Sequence, residues 1–138
     1  MNKYILIGLL LLCSCNKSKD SSNPLPPIVP DEVISDFSGY WIGSYSTNLV
    51  ESAGISAYLE QSLADFVRGT IHFKEGSGSV SGTAGDKTIT LGVTTRFSGC
   101  SGEFELTGSL NQDETILTFD IVGSDCLGTH VGSGYIGR

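Results

Sequence analysis

From about residue 39 onward, apolar and polar residues alternate with a period of two, in short runs broken by Gly, Asp, Asn and Ser. That alternation marks half-buried β-strands rather than helices. It predicts eight strands: Tyr40–Ser46, Ile55–Gln61, Phe66–Lys74, Gly78–Ala84, Lys87–Thr94, Gly102–Leu110, Thr115–Val122 and His130–Gly137. Each has a face of apolar residues at every second position, such as Trp41 and Tyr45, Ile89, Leu91 and Val93, or Leu117, Phe119 and Ile121. On the last strand the same rule selects Val131 and Tyr135. Residues 55–66 also admit a helix, because Ile55, Leu59, Leu63 and Phe66 have helical spacing.

Turn chemistry sets an expected register. A two-residue loop at Gly85-Asp86 pairs Gly82 with Ile89 and Val80 with Leu91, and a loop at Gln112-Asp113 pairs Leu106 with Phe119. Every one of these pairs is apolar or glycine, as an inner face requires, and a slip of one residue would expose them all. The second loop also sets Glu105 across from Asp120 on the outer face. Three echoes, Val67-Arg-Gly69, Val80-Ser-Gly82 and Leu106-Thr-Gly108, place glycine two residues after an inward aliphatic, where a curling strand needs a kink. Eight strands joined in order by short connections predict an all-β, antiparallel up-and-down barrel, with a β-sandwich of the same strands as the alternative.

The chain before the strands differs in kind. All four prolines lie between Pro24 and Pro30, whereas seventeen of the eighteen glycines follow residue 36. Proline-rich sequence favours extended chain at about 3.1 Å per residue, so this stretch reads as a tether. Further upstream, Lys3 precedes an apolar run from Tyr4 to Leu12 that is too short to span a bilayer, and Leu12-Cys13-Ser14-Cys15 closes it. That ending resembles the lipobox of bacterial lipoprotein signal peptides, in which a cysteine after a small residue is acylated and becomes the mature N-terminus. The resemblance implies a signal peptide at residues 1–14, acylation at Cys15, a tether over 15–35 and a barrel domain over 36–138. It also implies attachment to the bacterial envelope through acyl chains, with the outer membrane favoured because Asn16, not Asp, follows Cys15.

With Cys13 removed and Cys15 acylated, Cys100 and Cys126 remain, and export places them where a disulfide forms. In a meander both fall at the same end of the barrel. A zinc site is a poorer reading, since Cys126 and His130 supply two ligands rather than four. Lys3 is the one charged residue of the first fourteen, so the mature chain carries seven Lys and Arg against fifteen Asp and Glu, a formal charge of −8. This argues against nucleic acid, whose phosphates need a basic footprint. No cofactor or metal is implied.

Gly39-x-Trp41 at the first strand and Arg138 after the last resemble the Gly-x-Trp opening and terminal basic residue of the calycin group, the lipocalins and avidins. The resemblance implies that Arg138 packs over the Trp41 face at the closed end of the barrel, a cation–π contact worth about 1 to 2 kcal/mol. The chain is shorter than typical lipocalins and has no clear helix after the barrel, and it offers no polar constellation matching biotin binding.

Catalytic signals are sparse. His130 lies near Asp125 and Ser124, but no Gly-x-Ser-x-Gly elbow accompanies them. Gly76-Ser-Gly78 lacks the Gly-Lys-Ser/Thr that completes a phosphate loop. No catalytic residue is assigned, and the expectation is a non-enzymatic binding module. Its recognition surface is expected on the loops of the disulfide end, where Leu49, Val50, Phe97 and Leu127 are apolar residues in loop positions. The partner would be a small apolar ligand or an envelope or secreted protein. An inhibitor of a secreted lysozyme or protease is the alternative, since an acidic body steers toward a basic enzyme, and a structural envelope role is a further one.

Overall fold

The computed structural model describes residues 34–138 apart from 63–64, 75 and 98–99. The predicted signal peptide, Cys15 and most of the tether lie outside the described residues. Eight strands follow one another, β1 (Gly39–Thr47), β2 (Ala53–Gln61), β3 (Phe66–Phe73), β4 (Gly76–Ala84), β5 (Thr88–Phe97), β6 (Cys100–Leu110), β7 (Ile116–Asp125) and β8 (Gly128–Gly137). Each pairs antiparallel with the next, and β1 pairs with β8, so the sheet closes into a barrel with no free edge. Residues 53–61 form a strand, not the alternative helix. Ala53, Ile55, Ala57 and Leu59 are buried while Gly54, Tyr58 and Glu60 face out, and a helix would have scattered those four around its circumference.

Two hairpins differ from the expected register by the same step. Ala84 pairs with Ile89 and Gly82 with Leu91, so the β4–β5 turn sits one residue later, on Asp86-Lys87, and it is Lys87 that takes the left-handed backbone, at φ 50°. Leu106 pairs with Ile121 and Leu110 with Leu117. Here Asn111 organises the turn, its side-chain oxygen accepting from the amides of Thr115 (2.8 Å) and Ile116 (2.9 Å), while Glu114 adopts φ 57°. Because a shift of two preserves facing, the inner residues stay inside. The shift does separate the two carboxylates: Asp120 opposes Thr107 and Glu105 opposes Val122.

The last strand is turned over relative to the expectation. Val131 and Tyr135 are exposed, and His130, Gly132, Gly134 and Ile136 face inward. The reason is volume. A Cβ on Gly134 would fall within 2.6 Å of the Phe119 ring and 2.8 Å of Tyr45 Cβ, so neighbouring strands have already filled the space that large residues of β8 would need. A Cβ on Gly132 would run into the Ser46 carbonyl across the closing β1–β8 seam. Gly132→Ala is therefore expected to destabilise the barrel by about 2 to 3 kcal/mol through overpacking, read as a lower urea midpoint at unchanged slope.

One end of the barrel is sealed. Phe37 and Trp41 are fully buried there, and the indole Nε1 donates to the Phe37 carbonyl at 2.9 Å. The Phe37 amide donates to Gln61 Oε1 at 2.8 Å, and Ser35, also buried, donates its hydroxyl to Glu114 at 2.8 Å.

Candidate functional site

The other end carries the candidate site. The disulfide Cys100–Cys126 ties the start of β6 to the β7–β8 turn, with the two Cα atoms 5.7 Å apart, and the Cys126 amide donates to Cys100 Sγ at 3.2 Å. Beside it opens a shallow apolar mouth of about 40 Å³, walled by Tyr45, Val50, Phe73, Phe104 and Leu127 around the buried side of His130. Deeper in the barrel only about 10 Å³ is left between Leu59, Ile71, Leu106 and Phe119. Pockets that enclose a drug-sized ligand run to about 300 Å³ and above, so the interior is filled by its own side chains.

Three polar groups buttress the mouth. Asp125 Oδ1 accepts from the Leu127 amide at 2.7 Å and lies 3.1 Å from His130 Nε2, with the Asp125 and His130 side chains each only 6% exposed. On the opposite side of the ring, His130 Nδ1 is 3.2 Å from Thr47 Oγ1. That hydroxyl oxygen already accepts from the amides of Leu49 (3.2 Å) and Val50 (3.1 Å), so the Thr47 proton is the one free to point at the ring. A neutral ring then accepts at Nδ1 and carries its hydrogen on Nε2, facing Asp125. The Nε2 approach is close but poorly angled, leaving that buried nitrogen without an aligned hydrogen bond. The ring also stands edge-on to Phe104 at 5.5 Å, and Phe104, Phe73 and Tyr45 continue as a chain of contacts at 6.4 and 5.3 Å. The β1–β2 and β7–β8 loops are thus locked to one another through His130.

The electrostatics of Asp125 follow from its partners. Burial pushes its carboxyl up, but the Leu127 amide, the His130 ring and the Gly128 amide together hold it below the ordinary 3.8. At the sealed end Asp36 is also lowered, first by the Ser38 amide and hydroxyl, which with Arg138 outweigh burial. A carboxyl whose folded pKa is depressed contributes stability that is complete above its unfolded value and disappears as pH falls through the folded one. Urea midpoints are therefore expected to hold steady down to about pH 5 and to drop below about pH 4. Asp125→Asn should flatten part of that acid limb.

The expected binding residues take different places. Leu49 and Leu127 stand out from the rim, 49% and 67% exposed, whereas Val50 turns inward and packs against the core. Phe97 ends β5 opposite Cys100, and its side chain lies outside the described part of the structure. Trp41 and Arg138 meet at the sealed end, the guanidinium carbon 4.6 Å from the indole ring. Arg138 also donates to the carbonyls of Glu114 (2.9 Å), Ser38 (3.3 Å) and Asp36 (3.0 Å). Sequence reasoning set His130 near Asp125 but missed Thr47 as its partner, because it turned β8 the wrong way; the inward glycines at 132 and 134 were the available signal. Among the described residues no group of three or more His, Cys, Asp or Glu is placed to hold a metal ion.

The sequence matches no known protein family, and no curated protein matches it. The fold does have counterparts among solved structures. A redesigned beta barrel superposes with a TM-score of 0.61 at 15% identity, over 73% of this chain and 90% of that one. A second redesigned beta barrel, mFAP1, bound to DFHBI, gives 0.58 at 12% identity, over 73% of this chain and 94% of the other. At such identities the likeness establishes the eight-stranded antiparallel barrel architecture alone.

Proposed function

We propose that this protein is a lipid-anchored envelope lipoprotein, held by acyl chains on Cys15, whose barrel is a non-enzymatic binding module. Recognition takes place at the disulfide-tied mouth, and the partner is a macromolecule that presents an apolar projection to it. The observation that carries the reading is the contrast at that end: a rim with Leu49 and Leu127 exposed, on loops pinned by a disulfide and by His130, around a mouth of about 40 Å³ above an interior with about 10 Å³ to spare. A small ligand could not be enclosed there, whereas a side chain of a protein partner could be seated against Tyr45, Phe73 and Phe104. A redesigned barrel of like architecture was solved bound to DFHBI, which is consistent with a barrel serving as a binding scaffold.

The lipobox resemblance supports the anchor and the acidic composition agrees with a body displayed outside a polybasic membrane grip. Intact-mass analysis of the purified N-terminal peptide should show Cys15 with its acyl chains. For the mouth, in-cell photo-crosslinking from the rim should yield a discrete adduct, and Leu49→Ser/Leu127→Ser should weaken it at least about tenfold, the scale of a lost hot spot. An adduct unchanged by the double substitution would exclude this surface. If that adduct is a lysozyme or protease, an activity assay on it decides whether the binding is inhibitory.

A further inference from the structure

Large apolar side chains are also exposed far from the mouth, and they gather at the sealed end. Tyr40 (59%), Ile42 (62%), Tyr58 (50%) and Tyr135 (55%) lie on the outer faces of β1, β2 and β8, with Ile116 on β7 beside them. Register makes them neighbours. Tyr40 opposes Tyr58, and Ile42 and Ile116 flank Gly137 from either side in one row, with Tyr135 diagonal to both. Neither β1 nor β8 contains an Asp, Glu, Lys or Arg. Of the charges that border it, Glu60 bridges Arg68 at 3.1 Å and Arg138 donates to the Asp36 and Ser38 carbonyls, while Asp120 on β7, opposite Ser133 and diagonal to Tyr135, is exposed and marks the edge of the patch toward the mouth. The exposed carboxylates Glu103 and Glu105 stand on β6, two strands further round.

This is the composition of a side face that rests in a bilayer interface. Tyrosine is enriched there because its ring is apolar and its hydroxyl is wet, and aliphatic neighbours add to the buried area. The topology supplies the second argument. The first described residue, Ile34, is exposed, and Ser35 beside it is fixed to Glu114, so the chain that comes from Cys15 enters at this same end. We propose that the Tyr40–Ile42–Tyr58–Tyr135 face docks on the zwitterionic surface of the membrane in which Cys15 is anchored, holding the barrel against the lipid and leaving the mouth directed away from the sealed end. This rests on the lipid-anchor reading. The chain between Cys15 and Ile34 can reach at most about 65 Å, which permits contact or separation, so the face decides between them. The attraction need not be strong, because an anchored barrel meets its own membrane at millimolar effective concentration.

The test uses the full acylated protein reconstituted in phosphatidylcholine/phosphatidylethanolamine vesicles that contain a lipid with a diazirine near the headgroup. After illumination, peptide mass spectrometry should find labels on the segments carrying Tyr40, Ile42, Tyr58 and Tyr135, and none on those carrying Leu49 and Leu127. Tyr40→Ser/Ile42→Ser/Tyr135→Ser should reduce barrel labelling about tenfold while its melting temperature shows that it is folded, and the three-fold exchange of Tyr40, Tyr58 and Tyr135 for Phe should keep it. Labels absent from the barrel, or found equally at the mouth, overturn the proposal. So does a dimer in lipid-free sedimentation that the serine variant dissociates, since a second copy would then be what covers this face. The mass of the N-terminal peptide reports acylation separately. If Cys15 is unmodified the anchor reading fails, and labelling by added vesicles still tests the face.

Discussion

Phe37→Ala is expected to cost about 4 kcal/mol and to lower the melting temperature by roughly 15 °C or more. The ring is fully buried beneath Trp41, and the same residue offers its carbonyl to the indole at 2.9 Å and its amide to Gln61 at 2.8 Å. Truncation would leave a void at the floor of a closed barrel, whose hydrogen-bonded wall cannot collapse to fill it, so the cavity cost adds to the lost transfer energy. Phe37→Leu should recover most of the loss. Arg138→Ala, by contrast, removes an exposed residue that stacks 4.6 Å from Trp41 and should cost only about 1 to 2 kcal/mol. Urea unfolding of the three variants orders them. If Phe37→Ala lost less than Arg138→Ala, the floor would be held by the cation stack and not by the buried ring.

Phe37 also shows where reading the chain stops. It belongs to no strand, so no alternation announces it, and an isolated aromatic four residues before Trp41 is the sole trace. The strands themselves were legible because a barrel wall has one wet and one dry face, and period two records that directly. The hairpin turns were displaced by a pairing step of two because Lys87 and Glu114, not the more obvious Gly85 and Asp113, take the left-handed backbone. Alternation cannot detect such a shift, since it leaves every residue on its original face. On β8 the rule that large residues point inward failed for Val131 and Tyr135. A barrel of fixed radius has to balance volume around its axis, and the Phe119 ring and Tyr45 Cβ leave room for glycine alone at 134. The Thr47 contact was hidden by the same error: sequence proximity set His130 near Asp125, but an outward His130 has no reason to meet Thr47.

Removing the disulfide by Cys100→Ser/Cys126→Ser is expected to destabilise the protein by about 3 to 4 kcal/mol, the loop-closure entropy of a crosslink spanning 26 residues of sequence. The effect should be felt unevenly. Asp125 and Leu127 sit on either side of Cys126, and the Asp125 carboxylate accepts from the Leu127 amide and lies 3.1 Å from the His130 ring, so the crosslink fixes the turn on which the polar buttress depends. At the sealed end Phe37, Trp41 and Arg138 share no contact with it. Native-state hydrogen exchange should therefore show faster exchange at the Leu127 and Val50 amides, while the slowest amides of β1 near Trp41 change only by the global loss of stability. The double-serine protein should retain the barrel, because the ladder from β1 to β8 closes without the crosslink. It should also lose mouth binding by more than Leu127→Ser alone does, since a rim that must be ordered on contact subtracts that ordering from its affinity. Uniformly accelerated exchange at both ends would instead show that the disulfide acts on the unfolded chain alone, and that His130 with Asp125 and Thr47 suffices to hold the mouth.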